Sequence, residues 1–208
     1  MYASPMIDTT KQRKYIKDLR ALLKDIEPAV KSFKPMQTGR ELKNFSLRPR
    51  EVWANWLLCA VLHKVYSPMV TFTDDDDGDG IIVDGLAGDY IEVEHVCALD
   101  TPEGQKPSSG TVRIIEAIEL KTAKGEGYSR GKLLVVFFDG AGNWYRDKVR
   151  EAINGRHHFE RIYLIGLLTD KGGTKYSYSV TELYEDDSTT YAVKITPDFT
   201  DWSVSRIP

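Results

Sequence analysis

The stretch Thr71–Glu103, TFTDDDDGDGIIVDGLAGDYIEVEHVCALDTPE, decides how this chain is read. From Asp74 to Glu103 it holds eleven acidic residues and no Lys or Arg. Its apolar and acidic positions alternate around GLAG (Gly85–Gly88), the pattern of two antiparallel strands joined by a tight turn. With that turn, Asp84 faces Asp89, Ile81 faces Glu92 and Asp79 faces Glu94. Side chains two apart share a face, so Asp79, Glu92 and Glu94 project the same way. A slip of one residue would send Asp84 to that side in place of Asp79. Carboxylates gathered at about 5 Å repel unless a divalent cation, a lysine or bulk water intervenes. Mg²⁺ (or Mn²⁺) suits such a pair, because it takes hard oxygen ligands and fills its other positions with water and phosphate. Asp74–Asp77 reads as a solvated loop at a strand end. An EF-hand fails, since Asp75, Asp77, Asp79 and Gly80 fit its first half but its twelfth position is Leu86.

Outward from the hairpin, Met69–Thr73 is a further strand, and Glu51–Tyr66 (EVWANWLLCAVLHKVY) is a nearly all-apolar, hence central, helix with Pro49 at its first position. Before it, Thr10–Lys31 carries helical spacing at Tyr15, Ile16, Leu19, Leu22, Leu23 and Ile26, and 34–47 is a polar connector. After the hairpin come a loop at Asp100–Ser109, an amphipathic helix at Thr111–Tyr128 and a buried strand at Lys132–Phe138. A helix capped by Asn143, a strand at Phe159–Leu167 and a hairpin of Tyr176–Tyr184 with Thr190–Thr196 complete the chain. The expected fold class is mixed α/β: a helix-βββ-helix-β core with an extra helix and strand, a basic helical extension over 1–47, and a C-terminal β-hairpin closing the domain of 48–208.

In Thr111–Tyr128 the apolar stripe runs Ile114, Ile115, Ile118, so Lys121 borders the buried face and Lys124 and Tyr128 sit a turn apart beside it. Their ammonium groups either snorkel to solvent or reach the carboxylates, where a lysine orients an attacking water or stabilises charge on a phosphoryl group.

The order helix, three-stranded meander, helix, strand over about Arg50–Leu167 resembles the PD-(D/E)XK, or restriction-endonuclease-like, nuclease superfamily. The resemblance implies an Asp on the second strand and an acidic residue on the third that hold Mg²⁺, with a Lys two positions later that assists the water. Asp79 or Asp84 matches the first position and Glu92 or Glu94 the second. Where the lysine belongs, this chain has Glu94 or Val96 instead. The resemblance then implies a lysine moved to the next helix, Lys121 or Lys124, Glu94 as a catalytic group in the lysine position, Tyr128 similar to a helix Gln/Tyr motif of RecB-like members, and Glu51 as a first-helix carboxylate. The implied activity is phosphodiester hydrolysis, in DNA rather than RNA, in restriction or other defence. The alternative is a member that kept the fold, lost the activity, and serves as an interaction module, as a homodimer or as a subunit of a larger complex.

Composition bounds the rest. A net charge of −3 does not mark the whole molecule as a polyanion binder, yet Lys11–Arg50 holds twelve Lys or Arg against four acidic residues, an arm suited to phosphates. Cys59 and Cys97 lack CxxC spacing and read as thiols in a reducing compartment. Met1–Thr10 has no apolar core and no run reaches the ~18 residues of a membrane span, so the expected location is cytoplasmic with no membrane partner. His63, His95, His157 and His158 form no metal spacing, and GxSxG, Walker and GxGxxG motifs are missing.

Overall fold

A computed structural model of the chain describes residues 18–32, 47–74, 78–98, 108–138, 143–168 and 176–208. The first helix, α1 (Leu19–Lys31), starts where the Asp18 carboxylate accepts the backbone N–H groups of Arg20 and Ala21 at 2.7 and 3.3 Å. The earlier residues of the expected Thr10–Lys31 helix lie outside the described residues. Leu19, Leu22, Leu23 and Ile26 form its buried stripe. They join the same core as the second helix, α2 (Pro49–Val65), so this basic segment is built into the domain. Pro49 suits the first helical position because its missing N–H needs no partner there.

Every residue of α2 from Glu51 to Ala60 is buried. Trp53 and Trp56 stack with ring centroids 5.1 Å apart, and the Trp56 indole donates to the Leu19 carbonyl at 2.8 Å, which fixes α1 on α2.

The strands are β1 (Val70–Thr73), β2 (Ile81–Asp84), β3 (Tyr90–Cys97), β4 (Lys132–Phe137), β5 (Arg161–Leu167), β6 (Ser177–Leu183), β7 (Ser188–Ile195) and β8 (Trp202–Ile207). The described residues place them side by side in chain order in one sheet. The β3–β4 and β4–β5 pairings are parallel and all others antiparallel. Parallel neighbours need crossovers, and these are helical: α3 (Gly110–Thr122) with the single turn α4 (Glu126–Ser129), then α5 (Arg146–Ile153). Alternation along β4 shows the two layers. Leu133, Val135 and Phe137 meet the α1–α2 core, while Leu134 and Val136 meet the core of α3 and α5. The fold is the expected mixed α/β domain.

Three details differ from the sequence reading. Thr111–Tyr128 is not one helix, because Gly125 takes a left-handed φ of 90° that ends the first segment before Glu126 starts the next. The helix expected to be capped by Asn143 begins at Arg146, with the Tyr145 N–H donated to the Thr111 hydroxyl at 2.9 Å. The chain also does not end on a hairpin: β8 adds an edge strand whose Trp202 meets Trp56 edge-on at 5.1 Å.

Gly166 on β5 lies under the Phe138 ring, and an added Cβ would run into it. Gly166→Ala is expected to lower stability by about 1–3 kcal/mol through overpacking. Urea unfolding checks it, with the midpoint falling and the slope unchanged.

Candidate active site

The hairpin register is the one the turn implies. Ile81 pairs with Glu92, and the Gly85–Gly88 turn is closed by Asp84 N–H to the Asp89 carbonyl at 2.9 Å. Along β3, Val93 points to α2 and Val96 to α3, so Glu94 projects to the α3 side and His95 to the α2 side. Asp79 stands just before β2 and reaches across: its carboxylate accepts the His95 backbone N–H at 2.7 Å.

The charge problem of this hairpin is met by lysines. Lys121, delivered by the last turn of α3, puts its ammonium 2.8 Å from Glu94 and 3.6 Å from Asp79. It also donates to the Tyr128 hydroxyl at 3.0 Å, and that hydroxyl donates in turn to Glu94. Lys132 enters from the start of β4, whose parallel register sets it beside Glu92, and its ammonium is 3.0 Å from Glu92 and 3.2 Å from Glu94. Lys124 does not touch the carboxylates; it meets the Tyr128 hydroxyl at 3.2 Å and its ring centroid at 4.3 Å. Of the candidate residues, the structure thus brings together Asp79, Glu92, Glu94 and Lys121. Asp84 stands at the other end of β2, where the Ser67 hydroxyl and the Leu86 N–H donate to its carboxylate at 3.0 and 2.9 Å.

Burial pushes the Glu94 carboxyl upward, but hydrogen bonds from Lys121 and Tyr128 outweigh it and hold the group below its usual range. Burial lowers the Lys121 ammonium, and here too the bonds to Glu94 and Tyr128 win, raising it. Lys121 therefore stays protonated and acts as a donor, not as a base.

A cavity of about 370 Å³ opens beside Asp79, with Arg48, Arg50, Glu51, His95 and Lys121 in its wall. Glu51 accepts the Arg48 backbone N–H at 2.7 Å, so it caps its own helix while facing the cavity. Its carboxyl is pushed up by burial, with the Asp79 charge adding to the shift. Among the described basic residues of the arm, Arg48 and Arg50 line this cavity. Those of α1 are committed elsewhere: Arg20 pairs with Asp201 at 3.0 Å, Lys24 with Glu27 at 2.6 Å, and Lys31 with Glu27.

Asn55 explains why Asp79 is held so firmly. It is a fully buried amide in an otherwise apolar stretch of α2. Its Nδ2 donates to the Asp79 carbonyl at 3.1 Å, so its Oδ1 is the acceptor and the His95 Nε2, 2.9 Å away, carries the proton. Gly80 follows at φ 126°, and a Cβ there would lie 2.6 Å from Asn55 Nδ2. The sequence reading does not single out Asn55 or Lys132, and it holds Arg48 and Arg50 only as members of the basic arm. Two signals were present: an amide inside an apolar helix, and a single charge heading the apolar strand KLLVVFF.

The donors suit a hard divalent cation. Asp79 and Glu94 already share one positive centre, the Lys121 ammonium, and Glu51 faces the same cavity. Among the described residues no three His, Cys, Asp or Glu side chains converge on a point, so such an ion would draw its remaining ligands from water and substrate oxygens, as Mg²⁺ commonly does. Among the described residues, no helix is long and apolar enough to cross a membrane. Comparison with known proteins yields no matching family model, no matching curated protein and no matching solved structure.

Burial pushes His95 down to about 4, so it is neutral near pH 7. Between that value and the usual 6.5, the unfolded chain binds a proton that the folded chain does not. Stability therefore falls as pH drops through this window, by up to about 1.4 kcal/mol per pH unit for one proton. Denaturant melts in metal-free buffer from pH 7 to 4 are expected to show that slope, and His95→Gln to reduce it by one proton's worth. An unchanged slope in the variant would mean that His95 is not held neutral.

Proposed function

We propose that this chain is a nuclease-like phosphodiester hydrolase that acts on DNA with Mg²⁺ or Mn²⁺. The observation that carries the reading is the position of Lys121, with its ammonium between the Asp79 and Glu94 carboxylates. A chain lacking a lysine on β3 needs one from the next helix, and Lys121 is on that helix. The strand order supports it too, since an antiparallel β1–β2–β3 meander followed by a parallel β4 is an arrangement compatible with the resemblance drawn from the sequence.

In hydrolysis, a water oxygen bonds to phosphorus, the bond to the leaving oxygen breaks, and the water's proton ends on that leaving oxygen. A bound divalent ion supplies charge neutralisation at the phosphoryl group and makes its water more acidic. Asp79 and Glu94 provide the negative charge that retains such an ion. Asn55 and His95 fix Asp79 in place through its carbonyl and carboxylate. Lys121, permanently protonated, donates to the phosphoryl oxygens as charge develops on them. Arg48 and Arg50 grip flanking phosphates at the cavity mouth.

A second reading has its own observation. Lys121 already contacts both carboxylates and Lys132 pairs with Glu94 as well, so the cluster is self-sufficient as a structural ion-pair network. The chain would then be a non-catalytic module, acting as a homodimer or within a larger complex.

The two separate in one set of measurements. The hydrolase nicks plasmid DNA with Mg²⁺ or Mn²⁺ and not with EDTA, and Glu94→Gln and Lys121→Met, with unchanged far-UV dichroism, each slow it by about 100-fold or more. A failure to cut DNA or RNA with either ion, together with no Mn²⁺ binding by calorimetry, sinks the hydrolase reading. A stable dimer or complex by light scattering would then favour the module.

A further inference from the structure

Beyond the C-terminal end of α2, the sheet face that carries this helix is hollowed into a second cavity of about 600 Å³. That size is typical of small-ligand sites. It lies at the end of β2 away from Asp79, and Asp84 stands in its wall. Its floor is apolar, built from Ile82, Ile91 and Leu133 on three adjacent strands. Five tyrosines line it: Tyr66, Tyr90, Tyr163, Tyr184 and Tyr191.

The charges in the wall are lopsided. Three carboxylates, Asp84, Asp89 and Glu182, face the cavity, and among the described residues lining it Arg161 is the one cation. Asp84 is kept ionised, since the hydrogen bond from Leu86 N–H holds its carboxyl below the usual range. Arg161 shows what this wall accepts. Its guanidinium lies 5.5 Å from the Tyr184 ring centroid and its Nε is 3.4 Å from Glu182, which also accepts the Tyr163 hydroxyl at 3.2 Å. Glu182 is thus answered by a cation from within, whereas the Asp84 carboxylate is held by the neutral donors Ser67 and Leu86 and keeps its charge.

Ring faces of tyrosine are negative, and a cation with apolar substituents satisfies both the faces and an apolar floor at once. Surplus carboxylates add attraction for the same ligand and oppose any phosphate-bearing one. We propose that this cavity binds a small organic cation, an alkylated ammonium or a guanidinium on an apolar stem. The assignment is independent of the chemistry at Asp79.

Calorimetric titration of the full chain tests it, with choline and agmatine as the ammonium and guanidinium probes. The control is 3,3-dimethylbutan-1-ol, an uncharged carbon analogue of choline. Saturable binding of at least one cation is expected, with the alcohol at least about tenfold weaker than choline if choline is the one bound. Glu182→Gln and the exposed-rim variant Asp89→Asn, each with unchanged far-UV dichroism, should weaken the bound cation by about three- to tenfold. Asp79→Asn should leave it unchanged. No saturation by either cation up to about 20 mM, equal binding of the alcohol, or indifference to both wall variants would overturn the proposal.

Discussion

The ammonium of Lys121, 2.8 Å from Glu94 and 3.6 Å from Asp79, is the contact on which the arrangement of the site depends. The β2–β3 hairpin brings carboxylates together that would otherwise repel, and Glu94 is only 6% exposed, so water does little to relieve it. Removing one partner of a buried charge pair costs about 3–5 kcal/mol, because the other charge is stranded. This pair is partly exposed at Lys121 and Asp79, so the cost here is smaller. The contact also fixes geometry: α3 must present its last turn to β3, and α4 must then fold back to bring the Tyr128 hydroxyl onto Glu94. Lys132 adds a second tie from the neighbouring parallel strand, so three successive elements converge on one carboxylate.

The two cavities lie toward opposite ends of β3 and have opposite character. Near Asp79 the wall carries Arg48, Arg50 and Lys121 against two carboxylates, Glu51 and Asp79. Near Asp84 it carries one arginine against three carboxylates, with five tyrosines beside them. An anionic substrate is drawn to the first and repelled from the second. That separation follows from where α2 starts and stops, since Arg48, Arg50 and Glu51 stand at its beginning and Leu62, Val65 and Tyr66 at its end.

Much of this was legible in the sequence where local pattern and global fold agree. Alternation around Gly85–Gly88 gave the hairpin register, since a slip would have exposed Val93 and buried charge on the wrong face. The stripe Ile114, Ile115, Ile118 placed Lys121 at the edge of the buried face. What stayed hidden depended on contacts distant in sequence. Lys132 reaches Glu92 only because β4 lies parallel to β3, and no local pattern carries that register. Asn55, a lone amide in an apolar helix, has a role only beside Asp79 and His95, which lie far from it in sequence. The edge strand β8 carries its own alternation, Trp202, Val204 and Arg206 against Ser203, Ser205 and Ile207, but a mixed, half-exposed pattern after Pro197 is a weak strand signal. Gly125 could have announced the break in the lysine-bearing helix, and the break is what lets Tyr128 turn back onto Glu94.

The proposed chemistry requires the Asp79–Glu94 pair, filled here by the Lys121 ammonium, to be a cation site. Crystals soaked in Mn²⁺ and recorded at the manganese absorption edge test it directly. An anomalous peak bonded to carboxylate oxygens of Asp79 and Glu94 is expected, with the Lys121 ammonium displaced toward the Tyr128 hydroxyl. A map with no peak there, and Lys121 still bridging the two carboxylates at saturating Mn²⁺, would contradict it.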